Sequence, residues 1–427
     1  MSELHNNLLW FVVFWPLVWA IPMLNSVLPW PRIIAVVPAL VLTMLPGQAT
    51  VTLPPYLLGR SLATDSGNRW LLAMSVLLWL SSAILGEWRK RQAMREQSHV
   101  FFLLTMAGTL GLILATDLIG FYTFSALMGY GFYGLLLRGG HHSALDVGRI
   151  YIFSLVLADV LLLEAMLHIG LKSEDLRFET VHQLMSESAS PAYVLLVLLG
   201  FGLKAAIWPA HFWLVPAYQV ASRPTMILLG SVPVAMGLMG LTHWLPLGDI
   251  ALWNLGSVVQ WLGGMAVLYS GFRLFTVSSL NLIPGWTVIL LSGVFMILTG
   301  TGLAYPWLWH TYEFLITPLI VFVGLIAGAL SLMFCRRQMP FSPELPLVHR
   351  LDLLSHQIEL GEKQLENKKL VMMARLNALR KAMLTTFPAY ADRRTQWQRL
   401  SAQANRWSVK IMLFVVLGLI LAFEAIT

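Results

Sequence analysis

The sequence predicts an all-α polytopic membrane protein of about twelve transmembrane helices, one of them broken by prolines. Three observations predict it. Hydrophobic residues make up 57% of the 427-residue chain and charged residues only 11%, against about 25% in a soluble domain. Apolar runs of about 20 residues, the length that crosses a bilayer, recur along the chain. Lysine and arginine collect in alternate connections between those runs, as the positive-inside rule requires.

The expected spans lie near 8–28, 32–48, 69–87, 99–116, 118–138, 149–170, 192–222, 224–245, 251–272, 283–303, 310–335 and 408–426. The first has neither a basic leading segment nor a small-residue cleavage site, so it reads as a retained span rather than a signal peptide. The seventh is long because it is the broken one. One set of connections holds Arg89, Lys90, Arg91 and Arg95, then Arg138 and Arg149, Arg223, Arg273, and Arg336 with Arg337. The other set holds Asp117, the loop Lys172 to Glu187 with its acidic balance, and Asp249. This asymmetry puts the basic loops in the cytoplasm and both termini outside, in a bacterial cytoplasmic (inner) membrane.

Residues 336–407 hold thirteen of the 28 basic residues. Leu351, Ile358, Leu365, Met372 and Leu379 recur every seventh residue, one apolar stripe on a helix of about 35–40 residues. Phe387-Pro388 ends it. It reads either as a cytoplasmic arm gripping neighbouring subunits or as an interfacial helix resting on anionic lipid. Residues 408–427 follow as an anchor helix.

Much chemistry is excluded. The single cysteine, Cys335, rules out an intramolecular disulfide and a cysteine set for an iron–sulfur or zinc site. There is no GxGxxG, P-loop or His/Cys cluster of metal spacing, and no cofactor is expected. His141-His142, beside Asp146, read as solvated loop histidines. The net charge of +7 sits on one membrane side, so it signals the lipid bilayer and protein partners rather than nucleic acid.

Lys204 is the most telling residue. It stands in Gly202-Leu203-Lys204-Ala205-Ala206-Ile207-Trp208-Pro209-Ala210-His211-Phe212-Trp213-Leu214-Val215-Pro216-Ala217-Tyr218. A charge at bilayer depth costs roughly 2.5–3.5 kcal/mol on insertion scales and normally faces protein or a wet cavity. Pro209 and Pro216 each remove a backbone donor, which marks a helix break, and a break at that depth is tolerated only inside protein or beside a cavity. Asp159, on the preceding span, falls at a similar depth. An Asp159–Lys204 pair reads either as a proton relay or as a static ion pair that fixes packing. His211 and Tyr218 lie about two and four helical turns further on, where they extend a proton wire or satisfy carbonyls freed by the prolines. Glu164 and Glu313 complete the set of path residues, both close enough to the outer surface to be wetted.

These residues carry a resemblance. Gly-Leu-Lys at 202–204, Pro-Ala-His-Phe-Trp-Leu at 209–214, Pro-Ala-Tyr at 216–218 and Arg223-Pro224-Thr225 resemble the antiporter-like proton-translocating subunits of respiratory complex I. Mrp antiporters, membrane-bound hydrogenases and the membrane partner of DAB-type inorganic-carbon pumps share that family. Asp117-Leu118-Ile119-Gly120-Phe121-Tyr122-Thr123-Phe124 resembles the family's Asp-Asn-Leu-Leu-x-Phe-Tyr-x-Phe, and Asp159 matches an acidic position on the next helix. The resemblance implies that Lys204 is the central lysine of a half-channel. It divides the chain into N-terminal spans (1–68), a half-channel core (69–245), a partial second-half bundle (246–335), the arm (336–407) and the anchor (408–427).

The departures bear on function. The family's Trp-Glu, whose glutamate is the lysine's switching partner, is replaced by Ser125 and Ala126. The second broken helix is missing. The arm and anchor resemble the lateral helix of the longest complex I antiporter-like subunit. The expected function is therefore a membrane subunit of an ion-translocating complex, moving protons or sodium. Its partners are an antiporter-like paralogue and a peripheral cytoplasmic catalytic subunit. That subunit's chemistry resembles quinone oxidoreduction, hydrogenase chemistry or CO2 hydration. The alternative is a non-conducting scaffold that clamps its neighbours. Neither reading gives this chain a catalytic site of its own.

Overall fold

A computed structural model describes residues 2–21, 30–45, 47–52, 61–88, 95–138, 144–173, 175–187, 190–277 and 279–336. The chain divides into two units, residues 1–338 and 339–427. The expected arm and anchor, and His141 with His142, lie outside the described residues.

Helices α1 (Ser2–Trp19) and α2 (Pro31–Met44) lead to a hairpin of β1 (Ala49–Thr52) and β2 (Ser61–Thr64). Then follow α3 (Ser66–Trp88), α4 (Arg95–Leu114), α5 (Leu118–Leu137), α6 (Ala144–Gly170) and the short α7 (Phe178–Glu187). The broken segment comprises α8 (Pro191–Lys204) and α9 (Leu214–Val220). Helix α10 (Arg223–Leu229) passes through a π turn at Gly230–Val234 into α11 (Ala235–Trp244). The chain continues through α12 (Trp253–Thr276), α13 (Ile283–Ala304), α14 (Pro306–Tyr312) and α15 (Ile316–Arg336).

Each span expected up to residue 335 overlaps a helix among the described residues. Six segments among the described residues are long and apolar enough to cross a membrane. They are Ser66–Gly86, Ala144–Gly170, Arg223–Trp244, Trp253–Thr276, Leu280–Ala304 and Pro306–Phe334. Asn7–Trp19, Pro31–Met44, His99–Leu114 and Pro191–Lys204 are shorter apolar helices. The full-length spans are fewer than the sequence suggests because α8 stops at its break and because α4 opens with the polar residues Arg95 to Ser98. Burial ranks the helices. The Arg223–Trp244 segment is 94% buried and forms the centre, whereas Trp253–Thr276 is 28% buried and lies at the periphery, as a helix apolar on every face requires.

Two expectations are corrected. The fold is not wholly α: β1 and β2 pair antiparallel, Ala49 opposite Thr64 and Thr52 opposite Ser61. Short bridges continue the pattern from Leu62 to Ala115 and from Asp117 to Arg177. Backbone bonds Leu118 N–H to Leu176 O (3.0 Å) and Phe178 N–H to Thr116 O (3.3 Å) join these connections. The short strands satisfy backbone groups that the loops would otherwise leave unpaired. The segment Lys172 to Glu187, expected as a loop between spans, contains α7, which buries Val181 and Met185. The His182 Nδ1 of α7 lies 2.8 Å from Asp249 Oδ2, so the expected acidic connections meet at one end of the bundle, the hairpin end. There the Arg177 guanidinium, hydrogen-bonded to Asp175, holds that carboxyl down at about 2.

Close helix contacts rest on glycines. A Cβ on Gly263 would meet Gly293 O at 2.7 Å, and one on Gly256 would meet Gly300 O at 2.6 Å. Helices α12 and α13 thus run antiparallel through two glycine pairs seven residues apart, the small-residue packing of membrane helices. Gly263→Leu is expected to destabilise the α12–α13 contact by about 1–3 kcal/mol through overpacking. Gly264→Leu, next to it with nothing within 4 Å, is expected to stay within about 0.5 kcal/mol. Thermal unfolding of the two variants in detergent checks the contrast.

Candidate functional site

Three helices bring the site together. Helix α5 is capped by Asp117, whose Oδ1 accepts the Gly120 N–H at 2.8 Å. Helix α8 opens with Pro191 behind the Ser190 cap, the position where a missing proline N–H costs least. On α8, Gly200 lets the helix approach α6 closely, since a Cβ there would lie 2.7 Å from Leu162 and 3.3 Å from Ala158 O. One turn later on the same face, Lys204 reaches Asp159, the residue after Ala158.

Lys204 Nζ lies 2.7 Å from Asp159 Oδ1 on α6 and donates to Ser125 Oγ on α5 at 2.6 Å. Lys204 is 6% exposed, Asp159 5% and Ser125 2%. Lys204 also closes α8, where the partial negative charge of the helix end favours a cation. Beside it lies a small cavity of about 10 Å³, lined by Tyr151, Ser154, Leu155, Lys204, Trp213 and Pro233 among others. That is room for about one water. Tyr122 Oη donates to the Asp159 carbonyl at 3.3 Å, and the half-exposed Tyr130 lies beside the Asp159 carboxyl.

The helix break is more compact than the prolines suggest. Ala206 takes the left-handed conformation (φ 51°), which costs a non-glycine residue roughly 1–2 kcal/mol. The last carbonyls of α8 are nevertheless satisfied. Phe201 O accepts from Ala205 N–H at 2.7 Å and Gly202 O from Ile207 N–H at 2.9 Å. Leu203 O accepts from Trp213 Nε1–H at 2.9 Å. Pro209 sits in the break, after a cis Trp208–Pro209 peptide, and precedes a 3-10 turn at Ala210–Trp213. Pro216 does not break the helix. It lies in the first turn of α9, where a missing N–H is tolerated.

The other expected path residues are distributed elsewhere. His211 lies on the 3-10 turn and turns toward α12 and α13, its ring 5.5 Å from Tyr269 and 5.8 Å from Trp286. Arg273 stacks 4.8 Å over the same Trp286. Tyr218 is buried against Gly230 and Gly285. Glu164 is exposed, since five residues along a helix rotate it about 140° away from Asp159. Glu313 is exposed too, in a 3-10 turn 3.5 Å from His310 Nδ1. Ser125 was not singled out as a site residue in the sequence. Its signal there is that, with Ala126, it stands where the family resemblance places Trp-Glu.

Residues 115–283 match the NADH:quinone oxidoreductase/Mrp antiporter transmembrane family. Hydrogenase-4 component B of Escherichia coli is 25% identical over 238 residues, covering 55% of this chain and 34% of that protein. NADH-quinone oxidoreductase subunit M of Escherichia coli is 23% identical over 268 residues, covering 59% of this chain and 52% of that protein. The chain thus spans between a third and about half of the length of these curated relatives. The structure of the Mrp complex from a Dietzia species superposes with a TM-score of 0.63 at 20% identity, over 78% of this chain and 64% of that one, and so shares the fold. The segment that holds Ser125, Asp159 and Lys204 lies inside the matched region, so the site stands in the part of the chain, residues 115–283, that matches the NADH:quinone oxidoreductase/Mrp antiporter transmembrane family.

Proposed function

We propose that this chain is a membrane subunit of a multi-subunit ion-translocating complex, with Asp159 and Lys204 as its proton-handling centre. The observation that carries the reading is a lysine and an aspartate 2.7 Å apart, both buried, at the end of a broken helix. An amine beside a carboxylate, with room for about one water, suits proton transfer. Sodium is less suited. Unwound carbonyls coordinate such ions in other transporters, whereas here the last carbonyls of α8 at Phe201, Gly202 and Leu203 accept hydrogen bonds and the charged group at the break is an ammonium. His211 and Tyr218 stand toward α12, α13 and α15, and Glu164 and Glu313 on exposed faces, so a path through them needs water or groups from a partner.

The partners we propose are an antiporter-like paralogue and a peripheral cytoplasmic subunit. The driving chemistry is the partner's: quinone oxidoreduction, hydrogenase-type chemistry or CO2 hydration. The basic loops face the cytoplasm of a bacterial inner membrane, and residues 336–407 act as an arm. A scaffold role is the second reading, favoured by a specific observation. Among the described residues of α12 to α15 there is no second buried acid–lysine pair.

Three outcomes test the assignment. Lys204→Ala alone leaves a buried carboxylate without its cation, which costs about 3–5 kcal/mol, so impaired assembly is expected along with lost activity. Lys204→Met combined with Asp159→Leu removes both charges, a change that is often neutral for stability. This double variant is expected to assemble normally yet lose proton-coupled activity in membrane vesicles of the whole complex. Full activity in it would show the pair to be structural. Deleting 345–405 is expected to release a neighbouring subunit, and co-purification of the intact complex after that deletion would refute the arm.

A further inference from the structure

Many buried serines of this bundle bond within their own helix, whereas Ser125, like Ser82 with its bond to Pro224 O, reaches another one. Ser154, Ser231, Ser270 and Ser331 each donate to the carbonyl four residues earlier, at Ile150, Ile227, Ala266 and Ala327. Such back-bonding is the ordinary way for a serine to satisfy itself inside a helix. Ser125 Oγ instead accepts from Lys204 Nζ, 79 residues away, at 2.6 Å. Its hydroxyl is 2% exposed, and it faces the nitrogen from α5 while Asp159 faces it from α6.

The chemistry of the two neighbours differs. An ammonium offers three donors and no acceptor, an ionised carboxylate only accepts, and a hydroxyl does both. Toward charged Lys204, Ser125 accepts. When a proton passes from Nζ to Asp159 Oδ1, an N–H bond breaks, an O–H bond forms, and two opposite charges become two neutral groups. The amine then keeps two N–H bonds and carries a lone pair, so the Ser125 oxygen goes on accepting from an N–H or, once the amine turns about its Cε–Nζ bond, the Ser125 O–H donates into the lone pair. We infer that Ser125 is a positioning residue that holds the Lys204 nitrogen at Asp159 in both of its protonation states. The inference rests on the proton-handling reading of the pair.

The test uses the whole complex in native membrane vesicles, with proton-coupled activity followed across pH. Ser125→Ala is expected to lower activity about tenfold, the loss of one hydrogen bond to a charged group, with normal assembly and a displaced pH profile. Ser125→Thr keeps a hydroxyl on the same carbon and is expected to restore both activity and profile. Ser125→Cys keeps the size with a weak donor, and gives the same reading should the alanine variant fail to assemble. Parental activity and profile in Ser125→Ala or Ser125→Cys would overturn the inference, as would a threonine variant as impaired as the alanine one. The double variant Lys204→Met with Asp159→Leu separates the two levels. If it stays active, the proton-handling reading falls. If it is inactive while Ser125→Ala matches the parent, only the role of Ser125 falls.

Discussion

The contact between Lys204 and Asp159 sets the terms for the centre of the bundle. Two opposite charges 2.7 Å apart and almost fully buried persist only when geometry and further polar contacts compensate their desolvation. The surroundings bring the helices close and give the lysine a second polar contact. Gly200 brings α8 against α6 at Ala158, and Gly237 brings α11 to within 2.8 Å of the Ala205 backbone, measured from a Cβ built there. Ser125 supplies a second polar contact from α5. The break after Lys204 leaves its carbonyls bonded, at the cost of a left-handed Ala206, the kind of local strain that collects at functional sites.

Aromatic side chains enclose the pair on two sides. Toward the hairpin end, Phe121 stands one turn before Ser125 and Phe201 one turn before Lys204, with ring centres 5.8 Å apart. Trp244 joins them at 5.4 Å from Phe201, and Phe178 and His243 close the group at 5.1 Å from each other. On the cavity side Tyr151 and Trp213 meet at 5.0 Å. Between these layers the space admits about one water. The proposed proton passage would therefore depend on side-chain movement or transient hydration, and the paired charges are the groups that such an opening would expose.

The sequence made the helical segments legible because apolar runs of fixed length are a strong signal, and it made Asp159 and Lys204 legible because charges at such depth are rare. Their pairing followed from comparing depths on consecutive spans. The β1–β2 hairpin was not legible, since Ala49–Thr52 and Ser61–Thr64 are four-residue strands whose pairing is fixed by neighbouring loops. Pro216 misled because a proline in the first turn and a proline in the interior look alike before the helix start is known. His211 also misled: counting turns assumes a straight helix, and the break at Ala206 sends its ring to Tyr269 and Trp286 instead. Ser125 was legible only as a departure from the family's Trp-Glu, because a serine in an apolar helix carries no mark of which distant group it touches.

The remaining question is whether such a pair needs a function to persist. A buried ion pair is weak support for stability, because an apolar pair of similar volume is often no worse and sometimes better by 1–4 kcal/mol. The core around it is otherwise apolar, with Ala158, Leu162, Phe201 and Leu203 all buried, so an apolar replacement would fit its surroundings. Stability alone therefore gives little reason for two charges, a serine turned away from its own helix and a strained Ala206 to coincide at one break. On the proposed reading, proton transfer between an amine and a carboxylate would account for all of them together. It needs both ionisable groups, a neighbour that serves either protonation state, and a backbone opened beside a space for water.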